Sequence, residues 1–264
     1  MQLEQIATQV IELAKQAGDF IRQERKNFSA DKIEYKGLND LVSYVDKTAE
    51  GIIVAGLQKI LPESGFITEE KTINKVAERY NWIIDPLDGT TNFIHGVPVF
   101  SVSIALQEYD ELVLGVVYEI NQDECFYAWK GSAAYLNGEV IKVSHAPRIS
   151  DSLIATGFPY YNFEKQPQYI DLLTHLMKSC HGIRRLGSAA TDLVYTAAGR
   201  FDAFYEYNLN AWDVAAGIVI VKQAGGHVVN FSGGDEVLNA RELLATNGKI
   251  TSEMIEAIQQ HFAK

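Results

Sequence analysis

Positive charge is scarce in this sequence. The chain of 264 residues carries 23 lysines and arginines against 34 acids, a formal net charge of −11 at neutral pH. That balance excludes a broad basic surface for nucleic-acid phosphates, although a local site can still oppose the net sign. Cysteine is scarcer: Cys125 and Cys180 stand far apart and indicate no disulfide framework, which fits a reducing cytosol and structural thiols. No apolar run approaches the roughly 20 residues that span a bilayer. The first stretch, MQLEQIATQVIELAKQAG, has acids at Glu4 and Glu12 and no apolar h-region, so it reads as no secretory signal. The expectation is a cytoplasmic protein without membrane association. Repeats, low-complexity tracts and Pro- or Ser-rich linkers are also missing, so nothing forces a division of the chain. We expect a single domain over 1–264, with a soft internal boundary near 144–151, where SHAPRISD breaks the apolar pattern.

What is present is ample material for a core, 47% hydrophobic residues. Leu3, Ile6, Val10, Leu13 and Ala17 fall at helical spacing and predict an amphipathic helix over about 3–26. A second helix is expected over about 43–61, closed by Pro62. Short runs rich in β-branched and aromatic residues follow at 65–68, 81–85, 99–106, 112–120 and 124–130 and predict strands. The short link QEYDE between the third and fourth of these predicts antiparallel pairing. In the second half, IDLLTHLMKSC, SAATDLVYTAAG and WDVAAGIVIVKQAGG read as helices, with DAFYEY and HVVNF as strands. The fold class is mixed α/β, with helix and sheet layers around a shared core.

The stretch WIIDPLDGTTNF, Trp82 to Phe93, sets two carboxylates three residues apart on a turn. Like charges that close repel unless a cation lies beside them. Pro86 fixes the backbone between Asp85 and Asp88, and hard oxygen ligands at a rigid turn suit Mg²⁺, with the Leu87 carbonyl as a further donor. Gly89, Thr90, Thr91 and Asn92 read as the opening of a helix, whose free N–H groups can meet phosphate. Ordinary readings stand beside each of these. Asp88 can cap a helix; Glu69 and Glu70 can be an exposed loop pair; Asp213 can be an N-cap; Asp46 can form a capping box with Ser43.

Four motifs in order decide how these acids are read together. DPLDGTTNF (Asp85–Phe93), WDVAAG (Trp212–Gly217), TEE (Thr68–Glu70) and NDLVSYVD (Asn39–Asp46) resemble the inositol monophosphatase family of metal-dependent, lithium-sensitive phosphatases. The resemblance spans essentially the whole chain and implies a layered α/β/α/β/α sandwich, shared with fructose-1,6-bisphosphatases. It implies two or three Mg²⁺ ions, Li⁺ as an inhibitor and a homodimer. Glu69, Asp85 and the Leu87 carbonyl would hold a first ion; Asp85, Asp88 and Asp213 a second; Glu69 also a third, weaker one. Thr90 and Asp46 would orient or deprotonate the attacking water, with Gly89, Thr90 and Thr91 at the phosphate. Gly187, Ser188, Ala189 and Glu206, with Asp88 and Asp213, would face the polyol, and Lys36 would sit in a loop covering the site. Without the resemblance, Glu206 reads as a surface acid on a strand. Thr68 departs from the glycine of many relatives, and the loop Asn208–Ala211 and the pair Arg184–Arg185 fall where relatives vary.

The implied reaction is hydrolysis of a phosphomonoester by direct attack of metal-activated water, without a phosphoenzyme. The six histidines fall outside the motifs, and His95 reads as structural. Inositol 1-phosphate is the family's default substrate. Fructose 1,6-bisphosphate and histidinol phosphate stay open, with Arg184 or Arg185 for a second phosphate. 3′(2′),5′-bisphosphate nucleotidases typically follow D-G-T with Lys-Glu, whereas Thr91-Asn92 stands here. A regulatory or binding protein on the same scaffold is the reading from another class.

Overall fold

The computed structural model describes residues 2–28, 33–37, 40–73, 75–159 and 163–262. Two helices form the first layer. In α1 (Leu3–Lys26) the buried face is Ala7, Val10, Leu13, Ala14, Ala17 and Ile21, and Ala-rich spacing lets it lie close to α2 (Tyr44–Ile60). Between them β1 (Ile33–Gly37) and β2 (Asp40–Ser43) form an antiparallel hairpin. Lys36 therefore stands on a strand rather than in a loop. Its side chain, that of Ser43, and Asn39 lie outside the described residues.

The second layer is a seven-stranded sheet of β3 (Gly65–Thr68), β4 (Tyr80–Asp88), β5 (Ser101–Glu108), β6 (Glu111–Glu119), β7 (Glu124–Trp129), β8 (Ala134–Leu136) and β9 (Glu139–Ile141), hydrogen-bonded in that order. Only β3 and β4 pair in parallel. The strand expected from Val99 begins at Ser101, because Val99 adopts a left-handed φ of 86°. Alternation along β4 sorts its side chains: Trp82 and Ile84 join the α1/α2 core, while Ile83 faces the opposite side. One short helix, α3 (Thr90–His95), links β4 to β5.

The chain then crosses to a second sheet. Its elements are β10 (Leu153–Thr156), α4 (Gln166–Ser179), β11 (Gly182–Arg184), α5 (Ala189–Ala197), β12 (Ala203–Tyr207), α6 (Ala211–Gln223), β13 (His227–Val229), β14 (Glu242–Thr246) and α7 (Thr251–Phe262), with strand order β11-β10-β12-β14-β13. The middle layer is α5 and α6, held between the two sheets. Every residue from Val214 to Val221 of α6 is buried, as expected of a helix apolar on all sides. Tyr169, Leu172 and Leu176 of α4 and Met254 and Ile258 of α7 cover the outer face of the second sheet against Tyr205, Tyr207 and Leu244. Five layers result, the sandwich expected above.

Gly115 on β6 lets α6 approach the first sheet. A methyl group there would press on the backbone of Ala216, and backbone cannot swing aside. Gly115→Ala is expected to cost about 1–3 kcal/mol. Urea unfolding checks this: the midpoint should fall with an unchanged m-value.

Candidate active site

Residues three apart on a regular strand point to opposite faces. Asp85 and Asp88 nevertheless share a cavity, because β4 is bulged between them. Asp85 pairs with Ser103 and Asp88 with Ser101, so three steps on β4 oppose two on β5. Pro86, with no N–H to donate, sits at that irregularity. The Leu87 N–H donates to Asp85 Oδ1 at 2.9 Å and locks the turn.

Asp88 does meet a helix N-terminus, but not that of its own helix. Its Oδ2 accepts from Ser188 Oγ at 2.5 Å and from the Ala190 N–H at 2.8 Å, at the start of α5. Ser188 is the N-cap of α5, accepting from Thr191 N at 3.2 Å. Expected to face substrate, Ser188 is 1% exposed with its hydroxyl turned to Asp88. Asp213 is not the N-cap of α6; Asn210 is. Asp213 sits three residues on and accepts the Asn210 N–H at 2.6 Å through Oδ2, completing a capping box. The starts of α3, α5 and α6 thus converge on the acids, and their partial positive charges oppose them.

Gly89 holds the turn into α3 at φ 94°, ψ 34°. A Cβ there would stand 3.1 Å from the Val99 carbonyl and 3.2 Å from that of Gly187, so the position needs glycine twice over. Thr90 Oγ1 lies 3.1 Å from Asp46 Oδ1 and 3.0 Å from the Leu87 carbonyl, linking α3 to the buried first turn of α2. Asn92 donates to the Val99 and Leu186 carbonyls at 2.7 and 2.8 Å, tying both flanks of the site together.

One cavity of about 370 Å³ is lined by Glu69, Asp85, Leu87, Asp88, Gly89, Thr90 and Thr91 on one side and by Gly187, Ser188, Ala189, Glu206 and Asp213 on the other. Asp46 is set back, behind Thr90. Glu206 is 8% exposed, with its carboxylate against Gly157, so it is no surface acid. The wall also contains Lys71, Phe158, Arg185, Trp212 and Asp192. Asp192 is 1% exposed and escaped notice in the sequence, although it lies one helical turn beyond Ser188 and so shares its face. Arg185, not Arg184, reaches the cavity, and His95 does not.

Burial, then the neighbouring Glu69, Asp88 and Asp213, pushes the Asp85 carboxyl well above the usual carboxylate range, and Glu69 lies within hydrogen-bond reach of it. Burial raises Asp88 to about 6 against the opposing bonds from Ser188 and α5. Asp213 rises to about 7 through burial and Asp88. Burial also lifts Glu206 and Asp192, with Arg185 opposing. Acids raised in this way are short of cations. Their hard oxygens, with the Leu87 carbonyl, fit Mg²⁺. Among the described residues no three acid, imidazole or thiolate groups close around one point. An ion here would complete its shell with that carbonyl, water or phosphate oxygens. Cys125 takes no part: it is buried, and its thiol is pushed up to about 12.

Comparison with known proteins accords with this geometry. The model of the inositol monophosphatase family matches residues 2–263. An inositol-1-monophosphatase of Mesorhizobium japonicum is 37% identical over 252 residues, 95% of each chain. The Nus factor SuhB of Escherichia coli K12 is 39% identical over 246 residues, 93% of this chain and 92% of the relative. The crystal structure of the extragenic suppressor protein SuhB of Bartonella henselae matches with a TM-score of 0.89 at 39% identity, covering 96% of this chain and 98% of that one.

Proposed function

The chain belongs to the inositol monophosphatase family, and from that premise we propose that it is a Mg²⁺-dependent phosphatase of small polyol monophosphates, inositol 1-phosphate foremost. The observation that carries this reading is the convergence of Glu69, Asp85, Asp88 and Asp213 on one cavity beside Gly89, Thr90 and Thr91. Those four acids, with the Leu87 carbonyl, would hold the ions. Bound divalent ions supply charge neutralisation at phosphate oxygens and lower the pKa of water. The chain's own groups do the rest. Gly89, Thr90 and Thr91 seat the phosphoryl group. The Thr90 hydroxyl, aligned on Asp46, orients the attacking water and relays its proton to that carboxylate. A bond forms from water oxygen to phosphorus as the ester bond to the polyol oxygen breaks, and that oxygen takes a proton from solvent and leaves as the alcohol. Glu206 and the open side of Asp213 face the departing polyol.

Arg185 favours a monophosphate. It acts on Asp88, Asp192 and Glu206 together, so its charge is already opposed and is poorly placed to hold a second phosphate. By the same premise we infer lithium sensitivity and a homodimer working in the cytoplasm. Among the described residues no helix is long and apolar enough to cross a membrane. A relative named as a Nus factor supports a second, regulatory role, here beside catalysis because the acids are all present.

The test is phosphate release from inositol 1-phosphate with and without Mg²⁺, beside fructose 1,6-bisphosphate, histidinol phosphate and 3′-phosphoadenosine 5′-phosphate. Strong Mg²⁺-dependent turnover of the first is expected. Preference for a bisphosphate would overturn the monophosphate reading.

A further inference from the structure

The turn after β3 brings a cation to the cavity that the chemistry above leaves unused. Lys71 lines the cavity with Glu69 and holds a left-handed φ of 54°, unusual for a residue with a side chain. What holds it there is Glu50, a carboxylate on α2 that is 0% exposed. Glu50 Oε2 accepts from the Glu70 N–H at 2.8 Å, while Oε1 accepts from the Thr72 N–H at 2.8 Å and the Thr72 hydroxyl at 2.7 Å. Both neighbours of Lys71 are thus clamped by one buried side chain, and the clamp faces the strand end that carries Glu69.

Among the described residues, the cavity is lined by six carboxylates, Glu69, Asp85, Asp88, Asp192, Glu206 and Asp213, and by two cations, Lys71 and Arg185. Arg185 is opposed by three of the acids. Lys71 makes no ion pair among the described residues. A dianionic ester entering this cavity meets a strongly negative wall, so a lysine in the same lining as Gly89, Thr90 and Thr91, with no ion pair among the described residues, changes its binding. Lysine, a compact charge with three donors, suits phosphoryl oxygens.

We propose that Lys71 is a substrate-contacting residue that binds phosphoryl oxygens, and that Glu50 is the positioning residue that aims it. This rests on the phosphatase reading above. Calorimetric binding of inorganic phosphate at saturating Mg²⁺, read beside KM and kcat for inositol 1-phosphate, tests both halves. Lys71→Ala should raise the phosphate Kd and KM each roughly tenfold, the size of one charge-assisted hydrogen bond. Its kcat, Mg²⁺ affinity and melting temperature should hold, and Lys71→Arg should recover most of the loss. Glu50→Gln should weaken phosphate similarly, and Lys71→Ala should then add little, because the two act as a unit. Unchanged Kd and KM in Lys71→Ala, with wild-type binding intact, overturns the proposal alone. Full additivity overturns the role of Glu50. A wild-type protein that binds neither Mg²⁺ nor phosphate overturns the phosphatase reading itself.

Discussion

Asp88→Asn is expected to lower kcat by about a thousandfold or more, since a ligand should matter more than the outer partners whose loss costs about 10–100-fold. The fold should survive. Oδ2 of Asp88 accepts from Ser188 and Ala190. An asparagine keeps both bonds by placing its one oxygen there, which turns its NH₂ group into the cavity. A donor then stands where a cation needs an acceptor. No packing volume changes, and one buried negative charge is gone. Steady-state kinetics with Mg²⁺ titration, and a melting curve on the same sample, check the pair of outcomes. Activity above a tenth of wild type would remove Asp88 from the machinery. A regulatory role carried by the scaffold should persist in this variant.

The second large effect is on stability. In the metal-free protein the carboxyls of Asp85, Asp88 and Asp213 titrate above their unfolded values, chiefly through burial, with Asp88 at about 6 and Asp213 at about 7. Between the unfolded value near 4 and these folded values, the native state binds more protons than the unfolded state. Stability therefore falls as pH rises through that window. The two numbered shifts correspond to a loss on the order of several kcal/mol between pH 4 and pH 7, from these groups alone. Mg²⁺ should reverse it. An ion at a hundredfold excess over its Kd adds about 2.7 kcal/mol by mass action. Melting temperature against pH, with EDTA and with saturating Mg²⁺, should show a falling curve in the first case and a lifted, flatter one near neutrality. A melting temperature indifferent to Mg²⁺ at pH 7.5 would mean that the acids do not hold it.

The helical apolar spacing of α1 and α2 is local, so their ends could be read from the sequence to within a residue or two. The same holds for β3, β5, β6, β7 and α5, whereas β4 runs on to Asp88, three residues past its expected end, and α6 stops at Gln223, short of the expected Gly225–Gly226. Three-residue strands such as β8, β9 and β11 are too short to show a period, and the sequence patterns assign no element over β14 and α7. The acids Asp85 and Asp88 were legible as a pair, but not the device that turns them to one side. The bulge depends on register against Ser101 and Ser103, which is a property of two strands. Glu206 was ambiguous for a related reason: β12 is buried on both faces, so alternation cannot tell which way its acid points. Asp192 and Glu50 show that a buried acid inside a helix looks like a surface charge until the opposite wall is known.

The order of the chain has a consequence for its synthesis. The helix α6 lies between the sheets, yet it begins only at residue 211, after every strand of the first sheet has been made. Until it emerges, Ile83, Ala105, Val117 and Phe126 have no α6 to cover them. The last of the four acids, Asp213, arrives on that same helix. Closure of the core and completion of the acid set are therefore one event, and a nascent chain too short to bury its first sheet lacks the last acid of the cavity.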